Sequence, residues 1–141
     1  MLKSRSRLSF LLCAFLVSHC KPDPKLPALK DVVGAWEVKA ATRNKRPTGI
    51  LAGAYFIFSE NGTMKSNLPL LAEQGEWQTK FEIVEDTLIQ QSIPGARYII
   101  KSWNDSSMTL EFSTRGIPFQ LALAKTSLEK IYPVPDSVTT Q

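Results

Sequence analysis

From about residue 33 onward, apolar and polar side chains alternate with a period of two rather than 3.6. The clearest run is Glu76-Trp77-Gln78-Thr79-Lys80-Phe81-Glu82-Ile83, which reads as one half-buried strand or as two joined by a tight bend. Met108, Leu110 and Phe112 share a face opposite Thr109 and Glu111, and Phe119, Leu121 and Leu123 share one opposite Gln120. Turn chemistry separates the runs, in Glu60-Asn61-Gly62-Thr63, Glu85-Asp86, Pro94-Gly95 and Asn104-Asp105-Ser106-Ser107. Strands are therefore expected near 33–43, 54–60, 63–67, 74–79, 80–84, 87–92, 97–103 and 108–113, with a ninth at 118–125. No helical stripe is long enough for a βαβ crossover. The expected fold class is all-β, an antiparallel up-and-down meander of about eight or nine strands over residues 31–126, closed into a barrel because closure removes exposed edges. Within 127–141 only Leu128 to Ile131 reads as helix, before Pro133 and Pro135 stop it and a tail follows.

The pattern ahead of the barrel is different. Lys3, Arg5 and Arg7 precede an apolar run from Leu8 to Val17, which is too short to span a bilayer, where about 20 apolar residues are needed. Leu16-Val17-Ser18-His19-Cys20 resembles the lipobox of bacterial lipoproteins, with His19 where that pattern has a small residue. The resemblance implies a signal peptide over 1–19, acylation of Cys20 and a mature chain anchored by lipid in the bacterial cell envelope. Lys21 after the cysteine, where aspartate would retain a lipoprotein in the inner membrane, implies the outer membrane. Residues 20–30 would then be a proline-bearing tether, able to hold a domain on the order of 30 Å from the bilayer when extended.

Cleavage before Cys20 would change the available chemistry. His19, the only histidine, and Cys13 would leave with the signal, and Cys20 would be consumed by the lipid. Disulfides, thiol nucleophiles, Ser-His-Asp or Cys-His catalysis and His/Cys zinc sites would lose their residue types. Glu85-Asp86 falls in a turn signal, and Glu73 and Glu76 flank a glycine without a third ligand at useful spacing. No catalytic residue, metal site or cofactor is expected. Removing Lys3, Arg5 and Arg7 from the seventeen basic residues leaves fourteen against thirteen acidic ones, so no nucleic-acid partner is expected either. The one basic cluster, Arg43-Asn44-Lys45-Arg46, reads as a solvated hairpin tip or as a site for phosphate or anionic headgroups.

Asp31-Val32-Val33-Gly34-Ala35-Trp36 resembles the Gly-x-Trp opening of lipocalins. Phe56-Ile57-Phe58-Ser59-Glu60-Asn61-Gly62-Thr63, Gly75-Glu76-Trp77 and Trp103-Asn104-Asp105-Ser106-Ser107-Met108-Thr109-Leu110 follow in that family's order. The resemblance implies a lipocalin-like barrel whose Trp36 closes one end beneath a basic residue of the last strand. Lys125 is the candidate, since the inward register of Phe119, Leu121 and Leu123 continues to it. Alternation gives the inward residues that would line a small hydrophobic ligand as Trp36, Phe56, Phe58, Trp77, Phe81, Tyr98, Ile100, Met108, Leu110, Phe112, Phe119 and Leu121, with Val38, Ile83 and Leu123 beside them. A plain packed core uses the same residues. Ile50, Leu51, Leu68, Leu70 and Leu71 are apolar where connections are usually polar, and would form a mouth or lid, an exposed patch, or a plug folded back into the barrel. Two functions fit: a monomeric, membrane-anchored carrier of a small hydrophobic ligand, or a non-catalytic scaffold or inhibitor module contacting another envelope protein.

Overall fold

The computed structural model describes residues 25–69, 75–92 and 95–135. Its strands are β1 (Gly34–Arg43), β2 (Arg46–Pro47), β3 (Tyr55–Phe58), β4 (Thr63–Ser66), β5 (Trp77–Val84), β6 (Thr87–Gln90), β7 (Arg97–Trp103), β8 (Ser107–Thr114) and β9 (Ile117–Thr126). Every pairing is antiparallel, and β1, β3, β4, β5, β6, β7, β8 and β9 follow one another until β9 returns to β1. Eight strands thus close a barrel. The two-residue β2 pairs with the end of β1 alone, at Thr42↔Pro47 and Arg43↔Arg46. Closure runs from Ala35↔Thr126 to Arg43↔Phe119, with a bulge between Val38 and Ala40 that bends β1 around the barrel.

The expected meander is present with three differences. Residues 77–84 form one strand, because nothing at Thr79-Lys80 supplies a turn and the side chains alternate through it without a break. The Arg43-Arg46 hairpin gains the short β2, with Asn44 at φ 49° and Lys45 at φ 64° making the left-handed two-residue turn. The folded body also begins earlier than residue 31. A one-turn helix, α1 (Leu29–Val32), precedes β1, and both Pro27 and Val32 are buried. The second helix, α2, spans Leu128–Ile131 as its pattern indicates. The signal segment 1–19, Cys20, Leu70, Leu71, Glu73 and the tail beyond 135 lie outside the described residues.

Helix α1 lies at the barrel end that Trp36 closes. Trp36 is fully buried, and its Nε1 donates to the Val32 carbonyl at 2.7 Å. Lys125 Nζ stands 5.1 Å from the centre of the Trp36 ring, from the β9 position paired with Trp36. Gly34 makes room for this contact. Its φ is +128°, and a Cβ there would lie 2.8 Å from Lys125 Cε. The turns at 59–62, 85–86 and 104–106 share this end by the antiparallel order. The turns at 43–46 and 114–117, and the ends of β6 and β7 at Gln90 and Arg97, lie at the other.

Gly34→Ala is expected to lower stability by about 1–3 kcal/mol through backbone strain and displacement of the lysine stem. Urea unfolding checks this, and Gly34→Ala in a Lys125→Ala background should cost less than in the natural chain.

Candidate functional site

Alternation identifies the barrel interior well. Of the expected inward residues, all are buried except Val38, Trp77 and Ile83, which pack against the core partly buried, Trp77 with Nε1 donating to the Leu68 carbonyl at 3.4 Å. They touch one another. A continuous chain of rings runs Phe81, Phe58, Phe56, Tyr98, Phe112, Phe119, with centroids 5.2, 5.9, 5.7, 5.4 and 5.2 Å apart. Met64 and Leu88 join the core without having been singled out, although each occupies an inward position of a short alternating strand. Burial pushes the Tyr98 phenol above its ordinary range, and its hydroxyl donates to Gln90 Oε1 at 3.1 Å.

The apolar connections divide. Leu51 and Leu68 fold back and are buried in the core, as plugs and not as a lid, while Ile50 is 52 % exposed. Polar side chains hold the plugs in place. Ser66 Oγ donates to the Tyr55 carbonyl at 2.6 Å and accepts from the Leu68 amide at 3.0 Å, and the Asn67 amide group bridges Tyr55 N at 2.9 Å and the Gly53 carbonyl at 3.0 Å. One barrel end is thus closed by Trp36 and Val32, and the other receives Leu51 and Leu68.

A cavity of about 970 Å³ lies on the outer flank. Thr87, Ile99, Glu111, Gln120 and Thr42 are successive cross-strand partners on β6, β7, β8, β9 and β1, and all line it. Their neighbours Leu88, Tyr98, Leu110, Leu121 and Ala41 point into the core, so this row points outward. Arg97, Ser113, Pro118 and Lys45 form the next row toward the 43–46 end, with Phe112 and Phe119 at the rim. Ile99 is 39 % exposed on its wall. Gln120 Nε2 donates to Glu111 Oε1 at 3.2 Å, and Lys101 Nζ lies 3.8 Å from Glu111 Oε2, so that carboxylate is engaged. Among the described residues, neither Lys45 nor Arg97 is in an ion pair. The groove was not identified from sequence. Its trace there is Ile99, an apolar residue between Arg97 and Lys101 on β7, and Pro118, at an outward position of β9.

A second cluster straps the C-terminal segment to the barrel. Tyr55 and Tyr132 meet edge to face at 6.1 Å, and both hydroxyls donate to Glu76 Oε2, Tyr55 at 2.5 Å. The Tyr132 and then the Tyr55 hydroxyl hold the Glu76 carboxyl below its ordinary range. Burial, followed by the Glu76 bond, raises both phenols. Among the described residues, no group of three His, Cys, Asp or Glu side chains could hold a metal ion.

No family model matches the chain, and no curated protein does. Two solved structures superpose on part of it. A lipocalin-like protein from Bacteroides uniformis ATCC 8492 superposes with a TM-score of 0.47 at 11% identity, covering 68% of this chain and 99% of its own. An uncharacterized protein from Bacteroides eggerthii DSM 20697 superposes at 0.46 with 9% identity, over 67% and 98%.

Leu121→Ala is expected to cost about 2–5 kcal/mol, as cavity-forming core substitutions do, while Ile99→Ala changes stability by less than about 0.5 kcal/mol. Denaturant unfolding separates the two. For the strap, a folded-state pKa below the ordinary value means that Glu76 contributes its full stabilisation above about 4.5 and loses it as pH falls through the lowered value. Hydrogen exchange of residues 127–132 should accelerate on acidification within that window, and Tyr132→Phe should reduce the pH dependence.

Proposed function

We propose that this chain is a lipid-anchored, non-catalytic barrel of the bacterial envelope that holds one small hydrophobic molecule, and that it holds it in the flank groove. The observation that carries this reading is the contrast between a lumen filled by its own rings and an open groove of about 970 Å³ beside Ile99, Phe112, Pro118 and Phe119. A volume of that size accommodates a lipid-sized or drug-sized molecule. The anchor rests on the lipobox-like Leu16-Val17-Ser18-His19-Cys20, and the absence of catalysis on the loss of His19 and Cys13 with the signal.

The processed protein isolated from a bacterial host should carry the mass of acyl chains on Cys20, and Cys20→Ser should abolish both that mass and membrane association. Octanol added to the lipidated protein in nanodiscs should protect backbone amides of 97–99 and 118–120 from hydrogen exchange. Ile99→Lys should weaken that protection at least about tenfold, the effect expected of a charge at an apolar contact. Protection confined to inward positions such as Leu88 and Leu110 would place the ligand in the lumen and overturn the groove assignment.

A further inference from the structure

Charge is segregated between the two barrel ends, and the groove lies at the basic one. Arg43, Lys45 and Arg46 come from the β1–β2 hairpin, Arg97 from the start of β7 and Arg115 from the β8–β9 hairpin. The chain brings them together from three separate stretches. β9 pairs with both β1 and β8, and the Asn44 amide donates to the Pro118 carbonyl at 2.8 Å, which ties the two hairpins side by side. All five cations are exposed, and none is in an ion pair among the described residues. The described carboxylates nearby are occupied, Glu76 by two tyrosine hydroxyls and Glu111 by Gln120 and Lys101. At the opposite end Asp31, Glu60, Glu85, Asp86 and Asp105 outnumber Lys25, Lys30 and Lys125.

We infer that the groove selects an anionic amphiphile, a molecule with an alkyl body and one phosphate, carboxylate or sulfate head. This rests on the flank groove being the ligand site. The body would lie along Ile99 and Pro118, past Glu111, whose carboxylate is already met by Gln120 and Lys101. The head would lie over Arg97 and Lys45 on the groove wall, with Arg115 at the hairpin that continues it. Guanidinium forks bind such oxygens with charge-assisted, often paired hydrogen bonds, and the remaining cations raise the local concentration of anions. A polyanion would use the cations and leave the apolar wall uncovered. A neutral lipid would do the reverse. An amphiphile with one anionic head uses both.

The test titrates the processed, lipidated protein in nanodiscs with octyl phosphate, octanoate, octanol and inorganic phosphate, each against empty nanodiscs, and follows hydrogen exchange at 97–99, 111–113 and 118–120. At least one of the two amphiphilic anions should bind about tenfold or more tightly than octanol, and than inorganic phosphate, at low salt. The preferred anion tells a phosphate head from a carboxylate one. Raising ionic strength should erode that preference while leaving octanol unaffected. Arg97→Ala and Arg115→Ala should bring the anions down to the octanol level, and an unchanged urea unfolding midpoint separates this from loss of the fold. Octanol binding as tightly as both anions would overturn the selectivity and leave the groove assignment standing. Inorganic phosphate binding as tightly as octyl phosphate would also overturn it, by showing a bare anion site. If none of the four probes protects the groove, both readings fall.

Discussion

Closing eight strands on themselves leaves an interior just wide enough for one set of inward side chains, and every other feature of this molecule follows from how that space is filled. The pairing of β1 with β9 sets the closure. It places Trp36 opposite Lys125, so the ring seals one end while the lysine stem crosses above it and the ammonium reaches water. Gly34, at a φ of +128°, leaves the lysine stem room for that crossing. Six aromatic rings then run through the lumen in mutual contact, and Leu51 and Leu68 enter from the connections at the far end. An interior built this way gains stability from the close packing of its own side chains.

Beside a lumen lined by its own rings the flank carries an open groove, and the same closure decides what surrounds it. Tight hairpins project their turn residues beyond the rim. In this chain the turns at the 43–46 end carry arginine and lysine, and those at the Trp36 end carry aspartate and glutamate. Lys45 and Arg115 hold left-handed backbone angles, at φ 64° and 51°, where asparagine or glycine would sit with less strain. Turn geometry alone would not favour these residues, so their charge offers the better account of why they occupy those positions.

The fold was legible in the sequence because a period of two leaves a mark at every residue of a half-buried strand, and a slip of one would turn Met108, Leu110 and Phe112 outward. The Lys125–Trp36 contact was legible for the same reason, as a continuation of one strand's register. What could not be read was which residues of different strands become neighbours on the outer face. Ile99, Glu111, Gln120 and Thr42 line up only through the cross-strand register, including a shift between Ile100 and Ser102 that no local pattern signals. Arg97 and Arg115 join the hairpin cluster for the same reason, although alone each reads as an ordinary exposed arginine. The fate of Leu51 and Leu68 was equally hidden, because the hydrogen bonds of Ser66 and Asn67 that turn them inward span up to fourteen residues.

The early start of the folded body bears on what the groove can reach. If Cys20 carries the anchor, only about six residues separate it from the buried Pro27, a reach on the order of 20 Å at full stretch. That segment leads to α1, at the Trp36 end, so the acidic end would face the anchoring bilayer and the groove's basic end would point away from it. Strands of eight to ten residues then separate the cations from the membrane-facing end by roughly another 20–25 Å once tilted. An amphiphile still seated in the anchoring leaflet could not place its head over Arg97 and Arg115 in that orientation. A ligand of this groove would have to leave its bilayer first or arrive from the opposite side, which favours the capture of released single molecules over contact with a membrane surface.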